Sequence, residues 1–144
     1  MGQERLTVHN MWTGEDDEIT RVEVGHFGKE LPIKIQLNCD DGPYASLTID
    51  LGSYAGNGSV CMPYAGWLDT NNYPWAPRFL SENGIAEPYM RFGEPVEMRS
   101  GFCTYPLYQF NAKRLRELDP KGTEDYYASW VKNVEKVRKK MAFA

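Results

Sequence analysis

The side chains best suited to nucleophilic or metal chemistry are few: two histidines, His9 and His26, and three cysteines, Cys39, Cys61 and Cys103. A cysteine nucleophile needs a base within hydrogen-bond reach, and a structural zinc site needs close ligand pairs of the C-x₂₋₄-C kind. No such pair occurs in the spacing, so no metal and no cofactor are expected. An odd, widely spaced set of cysteines also argues against a disulfide framework. They read as free thiols that pack as small apolar groups, Cys103 among them between Phe102 and Tyr105. The carboxylates Asp69, Glu82, Glu87, Glu94 and Glu97 lack the paired arrangement that glycoside hydrolysis needs across one cleft, and they read as surface or capping groups. Gly52-Ser53-Tyr54-Ala55-Gly56-Asn57-Gly58-Ser59 has the glycine content of a phosphate cradle. It lacks the Lys-Ser/Thr pair after the last glycine, and it reads as a connector. No catalytic residue is assigned, and the chain is not expected to be an enzyme. A cleft bringing Cys61 or Cys103 to a histidine would revive that class.

The aromatic residues offer a different chemistry. Tyr54, Tyr64, Trp67, Tyr73, Trp75 and Tyr89 lie in or beside loop-like stretches. Indole and phenol rings bury large area and keep a polar handle, so they serve equally as core and as contact surface. With their polar neighbours they define a candidate partner- or ligand-binding set: Tyr64, Trp67, Asp69, Asn71, Tyr73, Trp75 and Arg78. A protein partner would use the rings as anchors. A small ligand, such as a nucleotide, would use Trp67, Tyr73 or Trp75 as stacking platforms, with Arg78 or Arg91 beside them.

Charge narrows the partners. The chain of 144 residues has a net charge of −4. Residues 1–50 carry 10 acidic and 4 basic side chains, whereas residues 111–144 carry 5 acidic and 9 basic. The molecule as a whole has no strong attraction for phosphate backbones, so nucleic acid is not expected. No apolar run approaches the ~18 residues of a membrane helix. The N-terminus lacks the basic-then-apolar layout of a signal peptide. A cytoplasmic protein without membrane contact is expected. With 42% apolar and 25% charged residues, residues 1–144 suit one packed domain.

The positioning elements follow from periodicity. Residues 1–17, with the acidic run Glu15-Asp16-Asp17-Glu18, read as an extended or mobile arm. A strand over Ile19–Val24 precedes a strict alternation of Leu31, Ile33, Ile35, Leu37 and Cys39 with polar residues. Asp40-Asp41-Gly42-Pro43 is turn chemistry. The next strand is expected to send Ala45, Leu47, Ile49 and Leu51 inward and Ser46, Thr48 and Asp50 outward. Residues 31–51 thus predict an antiparallel hairpin. Ser59–Met62 reads as a short strand. Asn72 is expected to cap a helix over 74–83 that stops at Asn83-Gly84. Short strands follow near 89–92 and 104–110. Asn111 caps a helix over 112–118, and Thr123 caps a last helix over 123–141 whose face carries Tyr127, Trp130, Val131, Val134, Val137 and Met141. The predicted fold is α+β: an antiparallel sheet built on the 31–51 hairpin and packed by two to three helices, the C-terminal one included.

The stretch from about Leu31 to Phe110 resembles a family of small uncharacterised proteins from conjugative elements of gut Firmicutes, which carries only a domain-of-unknown-function label. The residues that carry the resemblance are the strand into Tyr44-Ala45-Ser46-Leu47-Thr48-Ile49-Asp50-Leu51, then Asp69-Thr70-Asn71-Asn72, Glu82-Asn83-Gly84-Ile85 and Ser100-Gly101-Phe102-Cys103-Thr104-Tyr105-Pro106-Leu107. The resemblance implies mobile-element cargo and brings no catalytic residues. Together with the aromatics and the split charge, it leads to a first expectation of a non-enzymatic binding protein that occupies a host protein, a defence component among the candidates. A small-ligand or nucleotide-binding module is the alternative.

Overall fold

Leu6, Val8 and Ile19 can share one face of a hairpin, and they do. β1 (Leu6–His9) pairs antiparallel with β2 (Asp16–Ile19), Leu6 opposite Ile19. The computed structural model describes residues 4–27, 32–51 and 63–142. The expected arm over residues 1–17 is corrected by this hairpin, whose three apolar side chains are buried in the main core. Its turn is closed locally: Asn10 Oδ1 accepts the N–H groups of Trp12 and Thr13, and Gly14 takes positive φ. The acidic run that suggested a solvated arm forms the outer strand, and the buried positions flank it.

β3 (Arg21–His26), β4 (Ile33–Cys39) and β5 (Gly42–Ser46) form an antiparallel sheet with β4 in the middle. The alternation holds. Val22, Val24, Ile33, Ile35, Leu37 and Ala45 are buried, and the residues between them face out. The predicted 31–51 hairpin is therefore the centre of the fold, but its second strand breaks parity at Leu47. β6 (Thr48–Ile49) leaves β4 and pairs with β7 (Ala65–Leu68). Leu47 bridges the two sheets, its N–H bonded to Ile35 O and its C=O to Asp69 N–H. Because a one-residue slip reverses the faces, Thr48 is buried and donates no outward side chain; its Oγ1 accepts the Ile35 N–H at 3.1 Å. Ile49 and Leu51 move to the opposite face, against the prediction that placed them with Leu47. The Gly52–Gly58 connector, the Ser59–Met62 strand, Tyr54 and Cys61 lie outside the described residues.

α1 (Ala76–Glu82) is shorter than its predicted span and has Trp75, not Asn72, at its N-cap. Asn72 instead bonds Asp69 through both its N–H and its side-chain amide. The predicted stop holds, with Gly84 at φ +65°. Three short strands follow, β8 (Ala86–Pro88), β9 (Met90–Arg91) and β10 (Glu94–Pro95), then β11 (Glu97–Ser100) and β12 (Cys103–Phe110). β12 pairs with β7 on one edge. On the other edge it pairs with β11 over its first half and with β8 over its second. The β9–β10 hairpin leaves the sheet between these two partners.

α2 (Ala112–Leu118) starts where the sequence predicts, with Asn111 Oδ1 accepting the Arg114 N–H at 3.2 Å. α3 (Pro120–Ala142) begins three residues before the expected Thr123 cap. Asp119 takes the capping role: one carboxylate oxygen accepts the Gly122 N–H and the other accepts the Val24 N–H of β3 at 2.9 Å. Thr123 lies inside the first turn and donates its hydroxyl to Asp119 O. All three helices among the described residues contribute to the main core, through Phe79, Leu80, Leu115, Leu118 and Tyr126. The second, smaller cluster of Ala65, Trp67 and Leu107 contains no helical residue. Period-two alternation accounts for it, since Gly66 and Leu68 face the helices while Ala65 and Trp67 face the other way.

Candidate functional site

The seven predicted binding residues are not brought together. Trp75 is a core residue, packed edge-on to Phe79 and tilted against Tyr44 and Tyr73 at centroid distances of 5.5–6.1 Å. Tyr73 is half-buried beside it. Asp69 is buried and spends its carboxylate on Asn72. Asn71 is exposed and donates to Thr104 O, while Arg78 is exposed and pairs with Glu82 at 2.6 Å along α1. Trp67 is 5% exposed on the face away from the helices, and its indole N–H has no hydrogen-bond partner. Tyr64 is 6% exposed. The proposed grip of Trp67 and Trp75 is thereby corrected: both rings are buried in apolar clusters, and Tyr64, also buried, meets solvent only at the edge of a cleft against α3.

Tyr64 nevertheless occupies an unusual place. Its φ is +63°, which L-residues adopt at a cost of about 1–2 kcal/mol. Its N–H donates to the buried Tyr126 hydroxyl at 2.9 Å. Its ring stacks on Tyr127 at 5.9 Å and 7°, and Tyr127 stacks on Trp130 at 6.1 Å and 19°. The Tyr64 hydroxyl has no hydrogen-bond partner. Burial pushes its pKa up, and the nearby Arg116 guanidinium opposes that shift. Tyr64, Arg116, Pro120, Thr123, Glu124 and Tyr127 line an open cleft of about 380 Å³. A larger concavity of about 660 Å³ lies over the polar outer face of β3, β4 and β5, and includes Arg21, Lys34 and Gln36.

The exposed aromatics are different residues. Phe92 is 97% exposed and Phe102 fully exposed; Trp12, Met11 and Met90 also stand in water. Phe92-Gly93 is a two-residue turn with φ of +53° and +81°, the type I′ signature. Asn, Asp or Gly is favoured at the first of these positions, and Phe occupies it here. Gly101-Phe102 turns between β11 and β12 with only Gly101 at positive φ, as in type II′. The signal for both tips was present as a glycine within a two-residue interruption of extended sequence.

Neither histidine bonds a cysteine among the described residues. His9 lies between Asp16 and Glu82, at 2.7 and 3.4 Å, and His26 Nδ1 lies 3.4 Å from Phe27 O. Cys39 and Cys103 are half-buried free thiols. Among the described residues no group of three or more His, Cys, Asp or Glu side chains could hold a metal ion, and no helix is long and apolar enough to cross a membrane.

The described residues thus form an α+β fold with a helix-covered core and aromatic hairpin ends. Residues 21–130 match the family described as Domain of unknown function (DUF4313), and the chain belongs to that family. No curated protein and no solved structure matches it.

Proposed function

We propose that this chain is a non-enzymatic binding protein that acts by occupying a protein partner through its hairpin ends. In the setting its resemblance implies, cargo of a mobile genetic element acting in the cytoplasm, that partner is a host protein, with defence components the first to examine. The observation that carries this reading is the placement of Phe92 and Phe102, rings left wholly in water at two hairpin ends, with Trp12 largely exposed at a third. Exposed aromatics of this kind are over-represented among interface anchors. The test is affinity recovery from host extract with the wild-type chain and with the double variant F92N/F102S. A partner held in stoichiometric amount by the wild type and lost by the variant is the expected result. Recovery of no stable partner, or equal recovery by both chains, would sink the reading.

A second reading, a small-ligand module, is favoured by one observation: the cleft beside Arg116, where a buried phenol lacks a partner and the Tyr127 ring is 44% exposed. A planar ligand with an anionic group would pack against the exposed edge of Tyr127, whose faces are held by Tyr64 and Trp130, and answer Arg116. Glu124, on the same cleft, disfavours highly charged ligands. A panel of nucleotides that leaves the melting temperature unmoved would argue against it.

A further inference from the structure

We infer that Phe92 is a rigid knob for an apolar socket on a folded protein. This rests on reading the hairpin ends as the contact surface, and it names what that surface grips. The β9–β10 hairpin departs from the β12 edge at Tyr89, whose N–H donates to Leu107 O at 2.9 Å, and is closed by the Val96 N–H bonding Tyr89 O at 3.2 Å. Between these bonds only two residue pairs face each other, Arg91 with Glu94 and Met90 with Pro95. Residues 90–95 are all exposed, and Phe92 at the tip is 97% exposed, so its ring packs on nothing in the described fold.

Its shape is nonetheless fixed. Pro95 locks its own φ and stands opposite Met90, where its missing N–H removes no rung of the ladder. Gly93 closes the turn at φ +81°. An anchor held this way loses little freedom on docking. The Phe92 ring therefore combines a backbone position that disfavours it with full exposure to water, and no contact within the fold offsets either. Strain of this kind points outward, to a function. A pocket that takes one benzyl group offsets both costs.

The surroundings select the class of partner. Arg91 and Arg99 stand against Glu87, Glu94 and Glu97 along this edge, so there is no basic field to draw a phosphate backbone or an anionic bilayer. A single aromatic ring between near-balanced charges matches instead a protein socket with a polar rim.

The experiment uses the full chain carrying p-benzoylphenylalanine at position 92, and a control carrying it at position 113 on exposed α2, each photolysed in bacterial extract. A discrete protein adduct from position 92 alone is expected, displaced by excess wild-type chain and at least tenfold less well by F92N. F92N itself should melt no lower than the wild type. The inference is overturned by F92N competing as well as wild type, by an adduct with a second copy of this chain, or by F92N lowering the melting temperature. Retention of wild type but not F92N on phosphatidylglycerol vesicles or on a labelled oligonucleotide also overturns it. If a partner is recovered while F92N competes fully, the knob fails and the broader reading stands on Phe102. If neither chain recovers a partner, both fail.

Discussion

The bond between the Tyr64 N–H and the Tyr126 hydroxyl joins α3 to the start of β7 across 62 residues of sequence, and it is buried. Tyr126→Phe removes one oxygen and keeps the ring, its packing and its tilted contact with Tyr64 at 5.2 Å. What remains is a buried backbone donor, already on a left-handed residue, with no acceptor. Leaving such a group unsatisfied costs about 1–3 kcal/mol. For a chain of this length each kcal/mol moves the melting temperature by roughly 2–5 °C, so Y126F should melt about 2–15 °C lower by calorimetry at pH 7. The same residue fixes an alkaline signature. Burial pushes the Tyr126 pKa up to about 12 from the ordinary 10. A folded pKa above the unfolded one means stability is complete below pH 10 and is lost as pH rises through 12. Two pKa units correspond to about 3 kcal/mol across that window. Y126F lacks this titration, so its stability should fall less steeply between pH 10 and 12 than that of the wild type. It should not become flat, because burial and the Asp17 carboxylate raise Tyr44 to about 12 as well. A variant that melts within 1 °C of wild type and keeps the same alkaline slope would refute the reasoning.

Other substitutions probe the remaining joints. Gly122→Ala would set a β-carbon 2.5 Å from the Val24 carbonyl oxygen, which is backbone and cannot swing aside; denaturant unfolding should show a loss of about 2–3 kcal/mol. Gly66→Ala meets the Ile33 Cγ2 methyl at 2.8 Å; this buried β-branched side chain has little freedom to turn, but it yields more readily than backbone, so a smaller loss of about 1–2 kcal/mol is expected. The opposite ranking would show that these approaches are not what limits packing. Asp119→Ala deprives both Gly122 and Val24 of an acceptor, one a helix cap and one a tie to β3; about 2–4 kcal/mol is expected, with faster hydrogen exchange at Val24. Exchange unchanged at Val24 would break that account. Phe92→Asn relieves a left-handed phenylalanine and should leave stability equal or raise it by up to about 1 kcal/mol.

The legible parts of the sequence were those where one strong local rule operates. Strict alternation from Ile33 to Leu37 specified β4 and its inward face. Asn111 specified the start of α2, and Asn83-Gly84 the end of α1. Each depends on bonds or periodicity within a few residues, and tertiary packing had no reason to override them. Capping at α3 was misread because Asp119 and Thr123 are both good caps; Asp119 prevails through its second oxygen, which is engaged 95 residues away at Val24. The acidic run at 15–18 looked like a solvated arm because its apolar counterparts, Leu6 and Val8, lie on the other side of a turn.

Chain chemistry alone determined the α+β class, the central hairpin and two of the helix boundaries, since these follow from short-range hydrogen bonding and from the period of apolar residues. Only the tertiary structure decided which rings face water. Trp67 can belong to either face of its strand, and the pairing of β7 between β6 and β12 set it on the face away from the helices, in the smaller cluster. Among the described residues, the phenylalanines that remain in water are Phe92 and Phe102, beside glycines in two-residue turns, where the backbone reverses before any neighbouring strand can cover them.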